Sequence, residues 1–125
     1  MTDRFDRGMA RRREVLGDAH VDRASSAARD IDRGFQEFIT EYAWGEVWSD
    51  TDLTPTMRSA VTIALLAAAG HLEELEMHMR ASRPWLDDAQ LRGVLMHVAI
   101  YAGVPAANTA FKIARKVTEE SPEET

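Results

Sequence analysis

Apolar residues recur every three or four positions along most of the chain, and no run alternates with period two for long enough to suggest a strand. From about Arg4 to Leu16, Phe5, Met9, Val15 and Leu16 stand among five arginines, a weakly amphipathic arm. "GDAHVDRASSA" then reads as a polar connector. From about Asp30 to Val47, Ile31, Phe35, Phe38, Ile39, Tyr42 and Val47 keep helical spacing. Thr54 and Pro55 form a helix start, a capping hydroxyl followed by a residue whose missing N–H costs nothing at the first position. Gly70 interrupts the helix they open, and a second segment runs from about His71 to Ala81. After the connector "SRPWL", Asp87 is placed to cap the next helix, with Gln90 three positions on as in a capping box. That helix ends at Gly103 and Pro105 opens the last one. The pattern predicts an all-α protein, a compact bundle of about six helices in one domain over residues 1–125. Residues 1–20 form its basic arm and residues 121–125 a frayed acidic tail.

The stretch Ala60–Ala69 is apolar on every side. Such a helix is expected to be buried all round, in its own core or against another chain, and in a small domain this favours a homo-oligomer.

Composition narrows the function classes. The 45% hydrophobic and 29% charged content of 125 residues is that of a folded domain. A net charge of −6 argues against non-specific binding to nucleic acid or an anionic membrane. With no cysteine, the chain has no disulfide, thiolate catalyst, zinc–thiolate site or iron–sulfur cluster. The charged N-terminus has no apolar segment behind it, and the longest apolar run is shorter than the ~20 residues that cross a bilayer. A cytoplasmic location is expected. The basic arm lacks the aromatics of a nucleic-acid platform, and its expected use is contact with an acidic surface such as another subunit.

Candidate chemistry begins with "HLEELEMHMR". On a regular helix His71, Glu74 and His78 share a stripe about 60° wide. Two imidazoles and a carboxylate suit zinc or non-haem iron, although the spacing is not that of H-E-x-x-H, and Leu75 stands where a di-iron E-x-x-H motif needs its glutamate. Glu74 and His78 alone, one turn apart, suit metal-free proton transfer, because a carboxylate fixes the imidazole tautomer. A solvated helix face remains the plain alternative. His97 and Tyr101 form a second pair one turn apart, with a core histidine as the competing reading. Arg58, one turn into the helix that Pro55 opens, is either a surface arginine or a carboxylate clamp. There is no glycine-rich phosphate loop and no G-x-S-x-G.

In order along the chain, "RRREVLGDAHVDR", "GFQEFITEYAWGEVW", "RSAVTIALLAA", "EELEMHMRAS" and "HVAIYAGVPAANTAF" resemble the 4-carboxymuconolactone decarboxylase family, over roughly Met9 to Val117. "EYAWGEVW" and "IYAGVPAAN" carry most of the resemblance. It implies an all-helical, alkylhydroperoxidase D-like fold, a homo-oligomer (trimer or hexamer), and no cofactor or metal. The implied reaction converts 4-carboxymuconolactone to 3-oxoadipate enol-lactone and carbon dioxide, in the protocatechuate branch of the β-ketoadipate pathway. Peroxide-reducing members of the superfamily place a cysteine pair before a histidine. His78 matches that histidine, but Leu72 and Leu75 occupy the cysteine positions, so a cysteine-dependent peroxidase is rejected. The "SRPWLDDAQLRG" stretch, with Pro84, Trp85 and Gly93, departs from the family pattern.

The residues then take expected roles: Arg58 in carboxylate binding, His78 as proton donor, Glu74 orienting His78, and His97 with Tyr101 hydrogen-bonding the lactone or second carboxylate. A metal-dependent enzyme using the His71–Glu74–His78 stripe and a non-catalytic helical module for small acids are the alternatives.

Overall fold

The computed structural model describes residues 2–120, and every regular element among them is helical. The elements are α1 (Asp3–Leu16), α2 (Asp18–Ala27), α3 (Arg33–Ile39), a π-helical segment (Thr40–Val47), α4 (Pro55–Ala69), α5 (Leu72–Ala81), α6 (Asp88–Tyr101) and α7 (Val104–Glu119). They fall into two compact units, divided between Asp52 and Leu53. The expected acidic tail, 121–125, lies outside the described residues.

In the first unit α1 packs along the π-helical segment. Thr2 caps α1, its hydroxyl accepting from the Phe5 N–H at 3.0 Å. The approach is backbone to backbone at two glycines. A Cβ on Gly8 would run into the Thr40 carbonyl oxygen, and one on Gly45 into the Arg4 carbonyl oxygen. The arginines of α1, expected to meet an acidic surface elsewhere, are used within this unit. Arg7 and Arg11 donate to the carbonyls of Gly45 and Trp48 at 3.0 and 2.8 Å. Arg4 pairs with Glu46 at 2.7 Å, and Arg13 bridges Asp18 and Asp22. Arg12 is buried, donating to the Thr40 hydroxyl and the Gln36 side-chain oxygen at 3.1 and 3.0 Å, while its Nε has no partner among the described residues. Desolvation, and then the Arg13 charge, push its pKa down.

Two sequence expectations change here. The supposed connector after Gly17 is helix α2; only Val21 is buried from it, too little to show as an apolar period, and the Arg13 bridges hold its first turns. The expected single helix from Asp30 to Val47 begins at Arg33 and widens from Thr40, where the Trp48 N–H reaches back five residues to the Ala43 carbonyl at 2.8 Å.

The second unit surrounds a core of Ile63, Ala67, Leu75, Met79, Leu86, Leu91, Leu95, Val98 and small α7 residues Ala107, Ala110 and Ala114. Here α4 packs against α5, α6 and α7, and α7 also packs on α5 and α6. The local signals hold. Thr54 accepts from the Met57 N–H at 3.1 Å with Pro55 behind it, and Asp87 with Gln90 forms a reciprocal capping box at 2.8 and 2.9 Å. Gly70, at φ 77°, ends α4 in a Schellman closure: the His71 N–H bonds the Leu66 carbonyl and the Gly70 N–H that of Ala67. The last helix starts at Val104, one residue before the expected Pro105. Within the single chain, Ala60–Ala69 is buried on one side only. Ile63 and Ala67 are buried, but Val61 is 48% and Leu65 63% exposed. With Met57 they make an outward apolar row at i, i+4 and i+8.

Candidate active site

Arg58 owes its place to the α4 start signal. The Thr54 cap and Pro55 fix the first turn, and the Arg58 N–H closes it onto the Thr54 carbonyl at 2.9 Å. Arg58 is 9% exposed, so the surface-arginine reading fails. Guanidinium offers five fixed donors and keeps its charge when desolvated, which suits it to hold a carboxylate. Beside it, the Thr56 hydroxyl donates to the Trp85 carbonyl at 2.8 Å, clipping the "SRPWL" turn onto the start of α4. That turn is tight because the Trp85 and Leu86 N–H groups both reach the Ser82 carbonyl, and Leu86 is buried. Neither Thr56 nor Ser82 carried a sequence signal, because a hydroxyl's tertiary partner has no local pattern.

Helix α5 carries the histidine. Leu75 and Met79 are wholly buried and fix its rotation, which leaves His78 half-buried and Glu74 exposed one turn before it. His71 does not share their stripe. It caps α5 in a non-helical conformation (φ −87°, ψ 81°) and is exposed, because the Schellman closure at Gly70 turns the chain there. Among the described residues, no group of three His, Asp or Glu side chains is placed to hold a metal ion.

The last turn of α5 is tied to the end of α7 by a charge network that sequence reading did not anticipate. Arg80 donates to Glu120 at 2.7 and 2.8 Å and to Glu76 at 3.0 Å, and Lys116 also reaches Glu76 at 3.1 Å. The hydrogen bonds from Arg80 hold both carboxyls below the usual carboxylate range. Only the Glu76–Arg80 pair, at i and i+4, was open to sequence reading.

On α6, His97 and Tyr101 meet as expected for i, i+4 partners, ring centroids 4.7 Å apart and tilted by 37°. The core-histidine reading is wrong: His97 is exposed and Tyr101 is 79% exposed, beside the outward side chains of Met96 and Ile100. So α4 contributes a buried cation, α5 a half-buried imidazole beside a carboxylate, and α6 an exposed imidazole–phenol pair. As residue types, a guanidinium can bind a carboxylate and an imidazole or a phenol can donate a proton.

Comparison with known proteins bears on this geometry. The model of the carboxymuconolactone decarboxylase family matches residues 33–116. A 4-carboxymuconolactone decarboxylase of Acinetobacter baylyi is 42% identical over 94% of this chain and 88% of its own. A nitrosuccinic acid decarboxylase of Metarhizium robertsii is 33% identical over 93% of this chain and 82% of its own. A shorter 4-carboxymuconolactone decarboxylase sequence of Pseudomonas putida, 54% identical, covers 34% of this chain and 90% of its own. Both the family model and the two long alignments run through α4, α5 and α6, and the chain belongs to the carboxymuconolactone decarboxylase family.

Proposed function

We propose that this chain decarboxylates 4-carboxymuconolactone to 3-oxoadipate enol-lactone and carbon dioxide, the cofactor-free step of protocatechuate breakdown in the β-ketoadipate pathway. The observation that carries the reading is the 42% identity to the Acinetobacter baylyi decarboxylase across nearly the whole of both chains. The match to residues 33–116 enters both compact units, which supports a single functional domain.

The substrate's chemistry accounts for the residue types. Loss of carbon dioxide from the γ-carbon of an unsaturated lactone leaves an electron pair conjugated through the double bond to the lactone carbonyl. The substrate is its own electron sink, so no external one is required. Nitrosuccinic acid, named for the Metarhizium robertsii relative, likewise pairs two carboxyl groups with a nitro group able to accept the electrons. In this reading Arg58 holds a carboxylate, and His78, oriented by Glu74, protonates the ring carbon α to the lactone carbonyl once the carboxyl group has left, so that the double bond moves to the β,γ position of the enol-lactone. His97 and Tyr101 donate to the lactone oxygen or second carboxylate. Their exposure is supported as functional by their setting, because Met57, Val61 and Leu65 on α4 and Met96 and Ile100 on α6 are apolar and outward. A homo-oligomer, trimer or hexamer, covers such faces and turns the exposed pair into part of an enclosed site. Among the described residues no helix is long and apolar enough to cross a membrane; the reading places the reaction in the cytoplasm because its substrate is a small acid of a catabolic pathway.

The test follows loss of 4-carboxymuconolactone and release of carbon dioxide by purified protein, with nitrosuccinate as competing substrate. The lactone is expected to be preferred, with activity retained after chelation, and His78→Ala and His78→Gln lower kcat by about 10²–10⁴-fold while folding normally. Turnover of neither acid, or full activity in both variants, refutes the reading. Loss of activity on chelation, restored by one metal, would favour the metal-dependent alternative.

A further inference from the structure

A second polar–apolar arrangement lies on the other side of α6. Positions 88, 91, 92 and 95 of α6 and 111, 114, 115 and 118 of α7 repeat the same i, i+3, i+4, i+7 spacing, and together they line one open groove of about 350 Å³. That volume falls within the range of about 300–1,000 Å³ of small-molecule sites. Its floor is apolar, with Phe111 partly exposed and Leu91 and Leu95 almost wholly buried. Two guanidiniums, Arg92 and Arg115, also line it, one from each helix.

Two features separate this groove from the site above. At about 100° per residue, His97 and Tyr101 lie about a third to a half of a turn around α6 from Leu95 and Arg92. The arginines also differ from their neighbours. Arg80, Arg83 and Lys116 each have a carboxylate partner, whereas neither Arg92 nor Arg115 has one among the described residues. Both are exposed in a chain of net charge −6. Among the described residues the one acid on the lining, Asp88, is taken up by Arg83 at 2.6 Å.

We propose that the α6–α7 groove binds a small monocarboxylate with an apolar ring, its carboxylate between Arg92 and Arg115 and its ring against Phe111. Charge alone does not select this ligand over a bare anion; the apolar floor between the two cations does. Unpaired guanidiniums are available for bidentate carboxylate bonds at no cost of breaking an internal ion pair. The inference does not depend on the decarboxylase reading, since it uses none of the residues assigned to the reaction.

The experiment titrates the full chain with benzoate and cyclohexanecarboxylate, observing arginine Nε–H and Ala114 methyl resonances by NMR. Benzamide serves as the uncharged control and inorganic phosphate as the anion without an apolar body. The titration is repeated in His78→Ala, so that occupancy of the candidate active site is told apart. Saturable shifts at Arg92, Arg115 and Ala114, present in both proteins and absent with benzamide, are expected. Each of Arg92→Gln and Arg115→Gln, both surface changes, weakens benzoate binding about tenfold. Phosphate binding as tight as benzoate, undiminished binding in the double variant, or shifts that vanish in His78→Ala would overturn the proposal.

Discussion

Replacing Gly8 by alanine tests the contact that organises the first unit. In an exposed helix interior, glycine to alanine stabilises by about 1 kcal/mol. At Gly8 the added methyl meets the Thr40 carbonyl oxygen, with the Gly45 nitrogen 2.8 Å away. Both obstacles are backbone, so α1 and the π-helical segment must separate and no side-chain rotation relieves the clash. Overpacking of ordinary cores costs about 1–3 kcal/mol, and a rigid obstacle belongs at the upper end. Subtracting the propensity gain leaves a net loss of about 2 kcal/mol, or about 10 °C in the transition of so small a unit. The separation also draws the Arg7 and Arg11 side chains away from the carbonyls they bond. The control is Gly93→Ala, in mid-α6, where a Cβ meets nothing within 4 Å among the described residues and a gain of about 0.5–1 kcal/mol is expected. Urea melts followed by circular dichroism read both variants. A Gly8→Ala protein as stable as the parent would refute the close approach.

Three further outcomes follow from the same structure. Asp87→Ala removes half of the capping box and is expected to lower stability by about 1 kcal/mol, read as a shift in urea midpoint without a change in slope. Glu76 and Glu120 have folded pKa values below the ordinary carboxylate range, so the stability they add is complete above that range and is lost as pH falls through the lower folded values. The thermal midpoint should therefore hold from neutrality to about pH 5 and then drop, less steeply in Glu120→Gln, and an equal drop in that variant would count against the network. Under the proposed function, Arg58→Gln raises KM or lowers kcat/KM by about 10–100-fold on the lactone acid, and an unchanged value would remove Arg58 from carboxylate binding.

What could be read from the chain was what nearest neighbours decide. The Thr54–Pro55 start, the Gly70 stop and the Asp87–Gln90 box each act within six residues, and each appears where the pattern put it. Elements held by distant partners were misread. Helix α2 shows a single buried apolar residue, and the fate of the α1 arginines is set by acceptors such as Thr40, 28 positions from Arg12. Hydropathy marked Val61 and Leu65 as residues that avoid water but could not say that this chain leaves them facing outward. For the candidate site, spacing paired His97 with Tyr101 and placed Glu74 one turn from His78. Burial of Arg58 and exposure of His97 depend on which face each helix turns inward, and that is a property of packing.

The buried guanidinium of Arg12 rests on a hydroxyl and an amide, groups that neither gain nor lose protons in ordinary buffers. Its grip on Thr40 and Gln36 is therefore indifferent to acidity, in contrast to the carboxylate-dependent clamp around Arg80. Mild acid should loosen the C-terminal half of the molecule while this N-terminal anchor persists, giving the two halves separate thresholds in an acid titration.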